Sequence, residues 1–151
     1  MNRTQLLRRL DEAWQSLVVA YAGLSDAHLL QPGVTGRWSV RDIIAHVTTW
    51  EQEALKYLPV ILAGKRPPRY STMFGGIDAF NARMTEEKSG LTLSEVLRQR
   101  DETHNLLVGF IRRVPENAFA ADTPFRRRLR ADTYGHYVKH AAAIRRWRGE
   151  R

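Results

Sequence analysis

The most constraining feature of this chain is a threefold-to-fourfold spacing of apolar residues that recurs in four separate stretches, with no period-two alternation of comparable strength. Leu6, Leu7, Leu10, Trp14, Leu17, Val18 and Tyr21 form the first stripe, which predicts a helix capped by Thr4 and ending near Gly23. Ser39 followed by Asp42 is a capping box. It opens a second helix whose inward face runs Val40, Ile43, Ile44, Val47, Trp50, Ala54, Leu55 and Leu58. Pro59 is expected to bend that helix before Gly64, Pro67 and Pro68 stop it. Thr92 and Glu95 form another box ahead of Val96, Leu97, His104, Leu107, Val108 and Ile111. The last stripe follows Thr133, with Tyr134, Tyr137, Val138, His140, Ala141, Ile144 and Trp147.

Between these stripes the sequence reads as connection. Residues 25–38 are rich in turn formers, residues 64–76 form a crossover loop, and a short helix is expected from Ile77 to about Lys88. The segment from Pro115 to Thr133 reads as loop. Four amphipathic helices must bury their stripes against one another, so the expected architecture is an all-α four-helix bundle with a long crossover. At 151 residues the chain suits one domain spanning 1–151.

Cysteine is absent, which excludes disulfides, thiolate ligands and cysteine nucleophiles, and any metal must be held by histidine and carboxylate. No apolar run approaches the roughly 18 residues of a membrane span, and charges interrupt the first twenty residues. A cytoplasmic protein with no membrane partner is expected. The net charge is +8. Residues 112–151 carry eleven Lys or Arg against four Asp or Glu, a net of +7. Arg126, Arg127, Arg128, Arg130, Arg145, Arg146, Arg148 and Arg151 raise nucleic acid as a partner, although no recognition module accompanies them.

His136 and His140 stand four residues apart on one helix, the spacing at which two imidazoles reach one ion. His46 lies on or beside the inward face of the second helix, so three imidazoles could converge and leave an open coordination position. The competing reading is three neutral core histidines. Glu51, five residues after His46, could complete the metal shell, orient a ligand imidazole or act as a general base. His104 is a fourth candidate, otherwise a core residue; Glu53 and His28 are expected at the surface. Trp38 is expected to staple onto Ile43 or Ile44, with Arg37 and Arg41 beside it.

The segments GRWSVRDIIAHVTTWEQE at 36–53 and TYGHYVKHAAAIRRWR at 133–148 resemble the DinB-like superfamily, nearest the ClbS/DfsB family, and the resemblance spans nearly the whole chain. It implies up-down-down-up connectivity, frequent homodimers, and a site of His46, His136 and His140 for a divalent metal such as zinc or nickel. It also implies activity on a small electrophilic molecule, by hydrolysis or thiol transfer, with Glu51, Tyr57 and Tyr134 as candidate catalytic residues. The alternative is a non-enzymatic module that sequesters a small molecule or associates with nucleic acid.

Overall fold

The computed structural model describes residues 1–149. Its helices are α1 (Arg3–Tyr21), α2 (Asp26–Leu29), α3 (Val40–Leu62), α4 (Tyr70–Phe74), α5 (Ile77–Lys88), α6 (Leu93–Arg113), α7 (Pro124–Asp132) and α8 (Tyr134–Gly149), with a 3₁₀ turn at Glu116–Phe119. No strand occurs among the described residues; Thr35 and Trp38 form an isolated bridge. The four long helices α1, α3, α6 and α8 make the bundle.

Hydrogen bonds between distant segments fix the helix directions. Arg41, at the start of α3, donates from Nη2 to the carbonyls of Lys88 and Leu91, just ahead of α6, so α3 and α6 run parallel. Arg3 at the start of α1 donates to the carbonyl of Val114 at the end of α6, which makes α1 antiparallel to α6. Arg148 at the end of α8 reaches the carbonyls of Ala20 and Ala22 at the end of α1, so α1 and α8 run together. The result is up-down-down-up. Because α3 is 23 residues, about 35 Å at the helical rise, the chain must travel back along it before α6 can begin. The segment holding α4 and α5 makes that return.

The capping boxes at Ser39–Asp42 and Thr92–Glu95 form as the sequence implies. Other expectations are corrected. Asn2, not Thr4, caps α1: its side chain accepts from the Gln5 N–H while the Gln5 side chain accepts from Asn2. Residues 25–38 hold α2, capped by Ser25, and the 64–76 loop holds α4. Five residues are too few to show a helical period. The 115–133 segment holds the 3₁₀ turn and α7, whose signals are sparse: a Thr123 cap, Pro124 in the first turn, and Phe125 and Leu129 one turn apart on the buried side. In keeping with the sequence, α3 continues through Pro59 and ends at Leu62, ahead of Gly64.

Leu6, Leu10, Val40, Ile43, Leu58, Leu107, Ile111, Leu129, Tyr137 and Ile144 are the central core, each essentially inaccessible. α8 follows α7 after the single residue Thr133, and at Gly135 an added Cβ would stand 2.9 Å from the backbone carbonyl oxygen of Arg130. Only glycine allows this approach. We expect Gly135→Ala to destabilise the protein by about 1–3 kcal/mol, seen as a lower urea midpoint. Gly109→Ala on α6, where a Cβ meets nothing within 4 Å, should leave the midpoint unchanged or raise it.

Candidate metal centre

His46 sits in the second turn of α3, and His136 and His140 in the first two turns of α8. All three point Nε2 at one place. The Nε2 atoms of His136 and His46 are 3.0 Å apart, and those of His140 and His136 are 2.9 Å apart. Both contacts share the Nε2 of His136. A neutral imidazole nitrogen carries one proton or one lone pair in the ring plane, so only one of the two contacts can be a proper hydrogen bond. A cation at the meeting point satisfies all three lone pairs at once. The donor set is three imidazoles with ligating atoms within 4.8 Å of one another, and among the described residues no carboxylate joins it.

Electrostatics keep these rings uncharged. Burial, then the neighbouring His140, Lys139 and Lys88, lowers the His46 pKa to about 3. Burial with His140, His46 and Lys139 lowers that of His136 to about 2, and burial with Lys139 lowers that of His140 to about 4. At neutral pH each ring therefore offers its lone pair, the form a metal requires. His136 Nδ1 is buried without a hydrogen-bond partner in the chain.

Glu51 lies beside this centre without entering it. Its carboxylate is inaccessible, and Oε2 accepts from His104 Nδ1 at 2.7 Å and from the Tyr137 hydroxyl at 2.5 Å. Its Oε1 has no partner. His104 stacks on Trp14, ring centroids 3.6 Å apart and planes 7° from parallel, and Trp14 meets the edge of Tyr137 at 5.1 Å. Thus His104 belongs to the support of Glu51 and not to the three-histidine set. The part played by Trp14 is not visible in the spacing of the sequence, since it looks like one more core position on its stripe.

The structure places the two other candidate catalytic residues elsewhere. Tyr57 lies beyond Trp50 on α3, its hydroxyl 3.9 Å from Met73 Sδ and its ring under the Arg128 guanidinium at 5.4 Å. Around it, Arg128 donates to the Tyr70 hydroxyl and to Asp132, while Tyr70 donates to Glu53. Burial raises the Tyr70 pKa and lifts that of Asp132 to about 6. Glu53 is therefore tied to α4 and is not a free surface group. Tyr134 is buried beside the Arg9 guanidinium, 5.3 Å from its ring centre. Trp38 packs its ring 4.6 Å from that of His46. His28 is half-buried, its Nδ1 3.1 Å from Ser25 Oγ.

The family model of the DinB superfamily matches residues 9–143. The chain belongs to the DinB superfamily. Among solved structures it is similar to DfsB, a sibling lethal factor precursor, at 17% identity and a TM-score of 0.82, covering 99% of this chain and 96% of that one. It is also similar to the colibactin self-resistance protein ClbS in complex with dsDNA, at 13% identity and a TM-score of 0.79, covering 96% and 94%. An uncharacterised protein from Escherichia coli UTI89 matches at 15% identity and a TM-score of 0.81, covering 99% and 94%. At these identities the likeness is one of fold. No curated protein matches the chain.

This DinB-superfamily chain spends part of its C-terminal arginine excess internally. Arg128 is engaged by Asp132 and Tyr70, Arg148 by carbonyls of the α1 terminus and Arg145 by Ser16. Arg127 and Arg130 are exposed on α7 and Arg146 on α8. No helix among the described residues is long and apolar enough to cross a membrane.

The depressed histidines make the metal-free protein acid-sensitive. On unfolding, their pKa values return to about 6.5. Between pH 6.5 and about 4 the unfolded chain therefore binds more protons than the folded one. Stability is complete above pH 7 and falls as the pH drops through this window, by up to about 1.4 kcal/mol per pH unit for each such residue. Urea midpoints of metal-free protein at pH 7.5, 6.0 and 5.0 should show the decline, and His136→Gln should flatten it.

Proposed function

We propose that this chain is a divalent-metal-dependent enzyme acting on a small electrophilic molecule, by hydrolysis or by transfer to a thiol. The observation that carries the reading is the convergence of three uncharged Nε2 atoms from two helices on one point. Three imidazoles without a carboxylate suit zinc or nickel, and a three-ligand set is that of a catalytic site with coordination room to spare. A divalent ion held by His46, His136 and His140 supplies Lewis acidity toward a molecule entering beside it.

The chain's own residues do the remaining work. Trp38 covers one side of His46 and also lines an open groove with Asp78, Asn81, Thr85 and Glu86, where the body of a small substrate can lie against an aromatic face. Glu51, sealed by His104 and Tyr137, is a positioning residue: it holds α8 against α3 so that the three rings meet. Tyr57 and Tyr134, held in separate clusters, have no part in this reading. ClbS, which shares the fold, is a colibactin self-resistance protein, and that role supports detoxification chemistry here by analogy of fold.

Metal content, measured by plasma mass spectrometry on untagged protein purified without a nickel column or chelator, tests the proposal. About one divalent ion per chain is expected, with His136→Ala losing it while its helical circular dichroism is retained. Stoichiometric metal in that variant would sink the assignment.

A second reading is association with nucleic acid, favoured by the dsDNA in the ClbS structure and by the exposed Arg127, Arg130 and Arg146. It predicts duplex binding that weakens steeply between 50 and 200 mM salt, on the order of tenfold or more. Fluorescence anisotropy with labelled duplex showing no binding at the lower salt removes it.

A further inference from the structure

A cavity with room for about one water molecule lies against the side of His46 and is lined by Arg41, Asp42, Ala45, Thr49, Met84, Thr85 and Lys88. It joins α3 to α5. Most hydrogen-bond donors around it are already committed. Arg41 donates to Asp42 and to the carbonyls of Lys88 and Leu91. Asp42 accepts from Arg41 with one oxygen and from the Ser39 N–H with the other. The Thr49 and Thr85 hydroxyls donate back to the carbonyls of Ala45 and Asn81. Lys88 differs: its side chain is half-buried, and among the described residues its ammonium donates to Gln52 Oε1 at 3.0 Å.

The charge around the triad is equally one-sided. Three neutral imidazoles leave a divalent ion with its full +2 charge, and the lysines whose fields reach His46 are Lys88, half-buried on α5, and Lys139, exposed on α8. The nearby carboxylates are engaged: Glu51 by His104 and Tyr137, Glu53 by Tyr70, Asp42 as above. Asp78 and Glu86 line the neighbouring groove but are exposed to water, which screens them. A ligand that brings negative charge of its own is therefore favoured over a neutral one beside the ion and Lys88.

We propose that Lys88 is a specificity-determining residue, which selects ligands presenting an oxyanion such as a carboxylate to the space beside His46. The inference rests on the three-histidine metal reading and names the class of ligand that site takes. An ammonium is a point-charge donor suited to an anionic oxygen. The cavity has room for one such oxygen.

The test uses cobalt(II) added to the full-length metal-free protein, followed by visible absorption, with acetate as the anionic probe and acetamide as its neutral counterpart. Wild type is expected to take up one cobalt per chain and to change its spectrum with acetate at far lower concentration than with acetamide. Lys88→Met should keep the cobalt and bind acetate at least about tenfold more weakly, and Lys88→Arg should recover most of the loss. Equal acetate affinity in wild type and Lys88→Met overturns the proposal. So does equal response of wild type to acetate and acetamide, a comparison that decides the matter even if Lys88→Met fails to fold by circular dichroism. Failure of wild type to take up cobalt overturns the metal reading and this inference together, whereas cobalt uptake with charge-blind ligand binding overturns this inference alone.

Discussion

The buried carboxylate of Glu51 is the interaction on which the arrangement of the bundle turns. It comes from α3, accepts from His104 on α6 and from Tyr137 on α8, and through the Trp14 stack on His104 it reaches α1. One side chain thus touches, directly or at one remove, all four long helices. A carboxylate with no access to water is costly unless its donors are in place, so the helices can dock only in the rotation that supplies them. Apolar stripes alone tolerate sliding and rotation; a buried acceptor with two designated donors does not.

That rotation is what assembles the three histidines. Tyr137 sits between His136 and His140 in sequence on α8, and Glu51 lies five residues after His46 on α3. Bonding Tyr137 to Glu51 fixes the facing of α8 on α3 and, within about a turn and a half, brings His46 opposite the pair. The start of α8 is positioned independently by the close approach of Gly135 to the Arg130 carbonyl. Two constraints, one a hydrogen bond and one steric, act on the same short segment.

The parallel run of α3 and α6 has a second consequence. The return segment lays α5 along α3, where Arg41 pins its end by the carbonyls of Lys88 and Leu91. This carries Lys88 to His46 from a part of the chain that looks like connection. The same segment anchors α4 by Tyr70, through Glu53 and Arg128, forming a polar cluster well away from the histidines. The crossover therefore supplies walls to the site as well as a route between helices.

The sequence alone determined the four long helices, because a period of 3.6 over about four to six turns and two capping boxes are local signals that tertiary contacts reinforce. It also determined that any metal site would be built from imidazole and carboxylate, since cysteine is absent, and the i,i+4 pair on α8 follows from helical geometry. Tertiary structure decided the rest. That His46 meets the pair, that His104 serves Glu51, and that Tyr57 and Tyr134 lie in clusters of their own depend on how one helix is rotated against another, which periodicity does not encode. Short α4 and α7 escaped for a related reason: with no buried residue in α4 and only Phe125, Leu129 and Asp132 in α7, they are held by the bundle they pack on and carry almost no pattern of their own.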